Sequence, residues 1–231
     1  MAFSRILFNS LVVIGFTIII SSCKGKDKEK TIDAYPEYKI IATEGDDNLA
    51  VIAQLKPGDE FGDAISLTPP SAFLLDGELL VADTAKFGGF FYELYKPIDK
   101  FSGKHTLTYR SEDGTVSNEE FLFEPLTLTT VLPETFSRKD MELELTGALN
   151  KEVIRIVMVD TSFGSEGLNY TDTVQNGKLL ITAWKLGNLV DGPVQLELMR
   201  EYERPLEHNG YWGGKMTVDY TIRREFTLKS D

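Results

Sequence analysis

Apolar and polar residues alternate in short runs along most of this chain, beginning near Tyr38. Apolar and acidic residues alternate cleanly over Met141–Leu145. In the same way, the apolar residues at 216, 218, 220 and 222 alternate with Thr217, Asp219 and Thr221. A period of two is typical of a β-strand with one buried face. Val153–Val159 is nearly all apolar, which predicts a strand covered on both faces. No window beyond the first 23 residues holds a sustained apolar stripe of helical period, so the sequence predicts an all-β fold.

Turn signals divide the strands into two similar sets. Asp76-Gly77 before Glu78-Leu79-Leu80-Val81 is echoed by Asn176-Gly177 before Lys178-Leu179-Leu180-Ile181. Such dipeptides between strand patterns favour tight hairpin turns. The segment from Pro125 to Pro133 interrupts the pattern, which then starts again. We therefore expect a duplicated domain, with β-sandwich domains at 35–126 and 127–231.

A second observation bears on the kind of sandwich. Gly103 to Tyr109, followed by the turn Asp113-Gly114, resembles the last strands of bacterial immunoglobulin-like domains. The resemblance implies two tandem antiparallel immunoglobulin-like β-sandwich domains. The chain lacks the Cys…Trp…Cys pattern of true antibody domains, since Cys23 is its only cysteine.

The first residues have the pattern of an export signal. Arg5 precedes an apolar run of ten residues, Leu11–Ile20, and Ser21-Ser22 follow it. A bilayer-spanning helix needs about 20 apolar residues, so a cleaved signal is the better interpretation.

Ile20-Ser21-Ser22-Cys23 resembles the lipobox of bacterial lipoproteins. That resemblance implies a signal peptide at 1–22, cleavage before Cys23, and a lipid on Cys23 as the membrane anchor. The residue after it is Lys24 rather than Asp, which by the same resemblance favours the outer membrane and leaves the leaflet open. Residues 23–34 are the lipidated cysteine and a mainly polar tether. The alternative is an ordinary cleaved signal with a chance cysteine.

Charge and cysteine content limit the partners. The formal net charge is -12, from 24 Lys and Arg against 36 Asp and Glu. Nucleic acids are poor partners for such a surface. With no second cysteine, the exported fold depends on its hydrophobic core alone.

The sequence offers little catalytic material. His105 and His208 are the only histidines, and His105 lies on the apolar face of a predicted strand as a satisfied core or edge residue. Gly164-Ser165-Glu166-Gly167 does not have the order of a nucleophile elbow. A calcium site formed by acidic residues near Asp46 and Asp59 is one alternative. Their spacing, however, is not that of a calcium-binding loop. We expect no catalytic residue, no metal and no cofactor.

The strongest candidate for a binding surface is the segment 200–215. It lies between two predicted strands, where a hairpin needs only two to five residues. The candidate binding residues are Tyr202, Arg204, His208, Tyr211 and Trp212. Aromatic and arginine side chains are enriched in contact surfaces; alternatively, Tyr211 and Trp212 cap one end of the sandwich. The aromatic segment 87–95 is a second candidate, although much of it is expected to be core.

Together these features predict a non-enzymatic outer-membrane lipoprotein that binds a protein or glycan partner or serves as an accessory module. One alternative is a pilus or surface-fibre component, because tandem sandwiches also occur in fimbrillin-like proteins. The other is a carboxylate-based hydrolase.

Overall fold

Strands account for nearly all regular structure in this computed structural model, which describes residues 34–85, 89–162, 164–207 and 213–230. Cys23, the predicted signal peptide and most of the predicted tether lie outside the described residues. No helix among the described residues has the length and apolar character to cross a bilayer.

The first half contributes eight strands and a short 3-10 turn at Ile98–Lys100. The strands are β1 (Ala34–Thr43), β2 (Asn48–Pro57), β3 (Ala72–Leu75), β4 (Glu78–Leu79), β5 (Val81–Ala85), β6 (Gly89–Pro97), β7 (Gly103–Arg110) and β8 (Val116–Phe123). They form two layers, with the order β1-β2-β6-β5 in one and β4-β3-β7-β8 in the other. In chain order this is the A-B-E-D and C′-C-F-G arrangement of an immunoglobulin-like sandwich.

The second half repeats the plan. Its strands are β9 (Thr127–Leu128), β10 (Thr135–Ser137), β11 (Met141–Thr146), β12 (Val153–Asp160), β13 (Leu168–Thr173), β14 (Lys178–Ile181), β15 (Gly192–Pro205) and β16 (Lys215–Lys229), with helix α1 (Ala183–Leu186) between β14 and β15. One layer has the order β14-β11-β9, and the other has β13-β12-β15-β16 with β10 beside β16. The prediction of an all-β fold with immunoglobulin-like sandwiches is confirmed.

The predicted turns are also confirmed. Asp76-Gly77 and Asn176-Gly177 both have two successive positive φ angles, 50° and 84° in the first and 52° and 78° in the second. This backbone matches the right-handed twist of the strands that each turn joins.

Two pairings are parallel, which the sequence pattern did not indicate. β1 pairs with β16 over seven residues, from Glu37 opposite Lys215 to Thr43 opposite Thr221. β10 also pairs with β16 in parallel. The pairing of β1 with β16 joins the layer β1-β2-β6-β5 of the first sandwich and the layer β13-β12-β15-β16, with β10, of the second into one nine-stranded sheet. The bounds 35–126 and 127–231 stay a prediction, because the shared sheet leaves both strand sets in one compact unit.

Aromatic rings fill the space between the layers. Phe73 on β3 contacts Tyr38 on β1 edge to face, with ring centroids 5.6 Å apart, and Tyr92 on β6 at 5.5 Å. In the second half Phe136 contacts Phe226 at 6.1 Å. Phe123, at the end of the first half, lies 6.1 Å from Tyr220 of β16. One continuous core therefore runs through both halves.

Candidate functional site

The last two strands are longer than predicted. The segment expected to be a loop at 200–215 continues as strand to Pro205 on β15, and β16 starts at Lys215. The prediction of a long irregular connection was wrong in extent, because Arg200 to Pro205 pair with Tyr220 to Lys215 as a regular antiparallel ladder. This hairpin extension reaches beyond the second sandwich and adds to the sheet of the first.

A groove lies where the extension meets the edge of the first sandwich. Its volume is about 390 Å³, within the range of small-molecule sites. One wall is β8, and the other is the inner face of β15 and β16. We call it the waist groove; its lining residues include Glu120–Glu124, Leu149, Arg200, Tyr202, Arg204, Glu207, Met216 and Val218.

Exposed apolar side chains line this groove. Tyr202 is 49% exposed, Leu122 58% and Leu149 70%. Met216 and Phe123, in contrast, are buried in its floor. Burial also raises the pKa of Tyr220, which lies beside Phe123. The groove therefore presents an aromatic ring and aliphatic carbons to solvent above a packed base.

Arg204 closes one end of the groove. Its guanidinium forms an ion pair with Glu119, whose side chain is 4% exposed, and donates to the Glu120 carbonyl oxygen at 2.8 Å. The second Glu119 oxygen accepts the backbone N–H of Glu207 at 3.0 Å. Arg204, one of the predicted binding residues, is thus engaged in joining the two halves.

Arg200 closes the other end in the same way. It donates to the Glu124 carbonyl oxygen at 2.7 Å, to the Gly147 carbonyl oxygen, and to both carboxylate oxygens of Glu152. Its side chain is only 11% exposed. Because both guanidinium groups face protein oxygens, the exposed charges at the groove are the carboxylates of Glu120, Glu124 and Glu207.

The other predicted site residues divide into two groups. Tyr202 lines the groove, whereas His208, Tyr211, Trp212 and Cys23 lie outside the described residues. The binding role of this set stays a prediction. His105 is satisfied as expected: its ring nitrogens lie 2.7 Å from Asp76 Oδ2 and 2.9 Å from the Phe101 carbonyl oxygen.

The aromatic segment 87–95 differs from the expectation of a mostly buried cluster. Among its described aromatic residues, Tyr92 is buried and its hydroxyl accepts the N–H of Leu67 at 2.6 Å. Phe90 and Tyr95 are 40% and 58% exposed. Because Tyr95 follows the strand alternation of β6 to the outer face, it lies apart from the groove.

Sequence reasoning missed several residues. Leu122 is an apolar residue at an outward position of β8, between the inward Phe121 and Phe123. This run of three apolar residues breaks the alternation of the strand, and it was the only sign in the sequence that Leu122 is an exposed apolar residue. Trp184 on α1 is 78% exposed at the far end of the second sandwich. The described residues contain no group of three or more His, Cys, Asp or Glu side chains placed to hold a metal ion.

No protein-family model and no curated protein matches this chain. Among solved structures, it is similar to a Ca2+-stabilized adhesin of an Antarctic bacterium that binds ice, at 11% identity, TM-score 0.29, and coverage of 87% of this chain and 50% of that one. It is also similar to the Yersinia pseudotuberculosis adhesin InvE, at 13% identity, TM-score 0.26, and coverage of 89% and 62%. A third is Bacteroides ovatus SGBP-B in complex with a mixed-linkage heptasaccharide, at 13% identity, TM-score 0.22, and coverage of 82% and 43%. This chain spans about half the length of the first of these, and similarities so distant carry no information about function.

Proposed function

We propose that this chain is a non-enzymatic, lipid-anchored binding or accessory module that engages a protein or glycan partner through the waist groove. The observation that supports it is the exposed Tyr202, which lies between two half-buried arginines at a groove to which both halves contribute. Exposed aromatic and aliphatic groups beside polar groups are the composition of a contact surface.

The anchor is part of the same proposal. A lipid on Cys23 would hold the module on the outer membrane, and the segment before Ala34 would serve as its tether. Replacement of Cys23 by Ser should abolish labelling with a radioactive fatty acid in growing cells. Unchanged labelling of the Ser variant would contradict the anchor without bearing on the groove.

The groove is tested by crosslinking in intact cells followed by pull-down of the full chain. We expect a partner protein or glycan captured by the wild type to be lost with Tyr202→Ala. Tyr95→Ala is the matched control, because Tyr95 is similarly exposed but lies on the outer face of the first sandwich. Equal capture by the wild type and Tyr202→Ala would contradict the proposal.

A point variant is preferable to deletion of the segment 203–212. Glu203, Arg204 and Pro205 belong to β15, and Arg204 pairs with the buried Glu119. A deletion would therefore disturb the junction between the halves, and lost binding could then reflect lost structure.

A further inference from the structure

β15 has an open edge beside the waist groove. Its ladder with β12 ends where Arg155 pairs with Met199. Beyond that pair, no strand in the described part of the chain is hydrogen-bonded to this edge. Pro205, which has no N–H to offer a neighbouring strand, lies at the other end of the open stretch. The open edge of β15 is therefore the short stretch from Arg200 to Arg204.

The direction of the backbone groups at this edge follows from the pairing of β15 with β16. The Thr221 carbonyl oxygen accepts the N–H of Glu44 at 2.8 Å, so Thr221 directs its backbone groups away from β15. Successive residues of an antiparallel strand direct these groups to opposite edges. The partners of Glu201 and Glu203 lie at alternate positions before Thr221, so they too face away from β15. Glu201 and Glu203 therefore direct their N–H and C=O groups to the open edge, where no described loop or side chain bonds to them.

β8 lies across the waist groove from this edge but does not pair with it. The two strands are bridged only by side chains: Arg204 and Arg200 donate to carbonyl oxygens at the end of β8, at 2.8 and 2.7 Å. Tyr202 lies between these arginines on the same face of β15, because side chains of a strand alternate between its faces. A strand added to β15 would place the side chain opposite Tyr202 in the groove, between the two arginines.

The groove favours an apolar residue at that position. Tyr202, Leu122 and Leu149 expose apolar surface to it, and Met216 is buried in its floor. Its volume of about 390 Å³ is large enough for a leucine or phenylalanine side chain. A polar side chain would lose hydration there without gaining a partner, because both guanidinium groups are turned to protein oxygens.

The carboxylates of Glu201 and Glu203 favour a basic residue on each side of the apolar one. Residues directly opposite each other on paired strands lie on the same face, where opposite charges stabilise the pairing. The two carboxylates are 44% and 59% exposed. Glu201 lies 3.2 Å from Arg155 and Glu203 lies 3.3 Å from Lys215, so each has one cation as a neighbour and an exposed surface for a second.

The wider surroundings have the same sign. Glu120 and Glu124 are exposed at the rim of the groove and form no ion pair among the described residues. Glu207 is also exposed there. The whole chain has a formal net charge of -12. Such a field attracts a cationic segment and repels an anionic one.

We propose that the open edge of β15 binds an extended segment of a partner protein with the order basic, apolar, basic. The two basic residues lie opposite Glu201 and Glu203, and the apolar side chain enters the waist groove against Tyr202. Backbone hydrogen bonds to Glu201 and Glu203 add the segment to the sheet as a further strand. This inference rests on the proposed function, since it names the partner class of the same groove.

The test is amide NMR of the deuterated full-length chain in detergent, with blocked synthetic peptides. The probe is Ser-Lys-Leu-Lys-Ser, compared with Ser-Glu-Leu-Glu-Ser, which reverses the charge, and Ser-Lys-Ser-Lys-Ser, which lacks the apolar side chain. We expect the probe to shift the amide signals of Glu201 and Glu203. Each comparison peptide should bind about tenfold more weakly or less, because it loses the charge pairs or the buried side chain.

N-methylation of the peptide tests strand addition itself. In an antiparallel strand the two lysine N–H groups point to β15, whereas in a parallel strand the leucine N–H does. Methylation of one of these sets should therefore abolish binding, and methylation of the other should leave it unchanged. Glu203→Pro removes an outward N–H from the protein, at an edge position that tolerates proline, and should weaken binding more than Glu203→Gln. Should Glu203→Pro fail to fold, the methylated peptides on the wild type still decide the question.

A matched pair of double variants tests the charges. Glu201→Gln with Glu203→Gln should weaken binding of the lysine peptide about fivefold. Glu142→Gln with Glu144→Gln is the control, because these carboxylates also alternate along a strand, β11, and are 56% and 59% exposed. The control should bind the peptide as the wild type does.

Equal binding of the three peptides, no binding of the lysine peptide, or tolerance of both methylations would overturn the inference. So would a dimer of the free protein that protects the amides of Glu201 and Glu203 from exchange, since a second copy would then occupy the edge. A partner captured in cells that depends on Tyr202 but is not displaced by the lysine peptide would retain the proposed function and refute only this partner class.

Discussion

At the residue scale, Glu119 carries the most constrained charge of the waist groove. Its side chain is 4% exposed on the inward face of β8, where its neighbours Phe121 and Phe123 are apolar. Arg204 supplies the opposing charge, and the Glu207 N–H supplies a further hydrogen bond. A carboxylate so placed requires its partner, because an uncompensated buried charge is strongly destabilising.

Replacement of Arg204 by Ala should therefore lower the free energy of unfolding by about 3–5 kcal/mol. The control is Arg155→Ala, which breaks an exposed pair with Glu201 and should cost no more than about 1 kcal/mol. Chemical denaturation of each variant measures both values. The double variant Arg204→Met with Glu119→Leu should recover most of the loss, and a cost equal to the Arg155 control would show that Arg204 has no such role.

Tyr170 gives a second prediction at this scale. Its hydroxyl is buried without a hydrogen-bond partner among the described residues, and burial, followed by the charge of Asp172, raises its pKa to about 12. Tyr170→Phe removes the unsatisfied hydroxyl and should raise the free energy of unfolding by about 1 kcal/mol near neutral pH.

The pH dependence of that difference has a defined sign. The folded state holds the Tyr170 proton more tightly than the unfolded state, whose ordinary pKa is 10.0. The free energy of unfolding of the wild-type protein is therefore not changed by this titration below about pH 10, and it falls as the pH rises toward 12. The stability advantage of Tyr170→Phe should therefore widen over this interval in denaturation curves, and a constant difference would show that the pKa is not raised.

At the scale of elements, the hairpin of β15 and β16 determines the shape of the site. The end of the hairpin that carries its connecting loop packs on the start of β1: a side chain at Gly213 would lie 2.7 Å from the Tyr35 ring, and one at Gly214 would lie 2.7 Å from the Pro36 carbonyl oxygen. Gly214 also has a φ of 133°, which residues with a side chain rarely adopt. Contact with β1 therefore fixes the hairpin as part of the first sandwich.

Gly214→Ala should consequently lower the free energy of unfolding by about 3 kcal/mol, the sum of backbone strain and a contact with rigid backbone. Gly45→Ala is the matched control, since Gly45 also has a positive φ, 87°, but has open space around it. It should cost only about 1 kcal/mol. Thermal denaturation of both variants tests the difference, and equal costs would contradict the packing of this hairpin on β1.

The sequence predicted the strands better than it predicted their partners. Alternation located β11 and β16, and Asp-Gly and Asn-Gly located turns, because both signals are local. The apolar run of β12 was misleading: its prediction as a strand covered on both faces was wrong, since Val153 and Val159 are each 54% exposed. An apolar composition does not say whether another layer lies above a strand.

The candidate site shows the same limit. Aromatic composition identified Tyr202, but the continuation of β15 to Pro205 depends on pairing with β16, which in turn depends on β1. Arg204 was predicted to bind an external partner because the sequence does not reveal its ion pair with Glu119, which is 85 positions away. Contacts between distant segments leave no local pattern, so the waist groove could not be predicted.

At the scale of the whole molecule, the parallel pairing of β1 and β16 makes the two sandwiches depend on each other. Met216, Val218 and Tyr220 of the second half are buried in the junction. In sequence they come directly after the segment that was expected to be a long irregular connection. Arg200 and Arg204 add hydrogen bonds from β15 to the end of β8 and the segment after it. Neither strand set retains all its core contacts when separated from the other.

We therefore expect the chain to unfold in one cooperative transition. Amide hydrogen exchange in β12 reports on the second half, and amide hydrogen exchange in β7 reports on the first. Both probes should give the same denaturant midpoint, because the shared sheet and continuous core couple the halves. A fragment of residues 127–231 should expose the apolar residues that β1 and β8 cover, and should be less stable than the full chain by several kcal/mol. Two separated midpoints, together with a fragment as stable as the full chain, would show instead that the halves are independent domains that merely lie side by side.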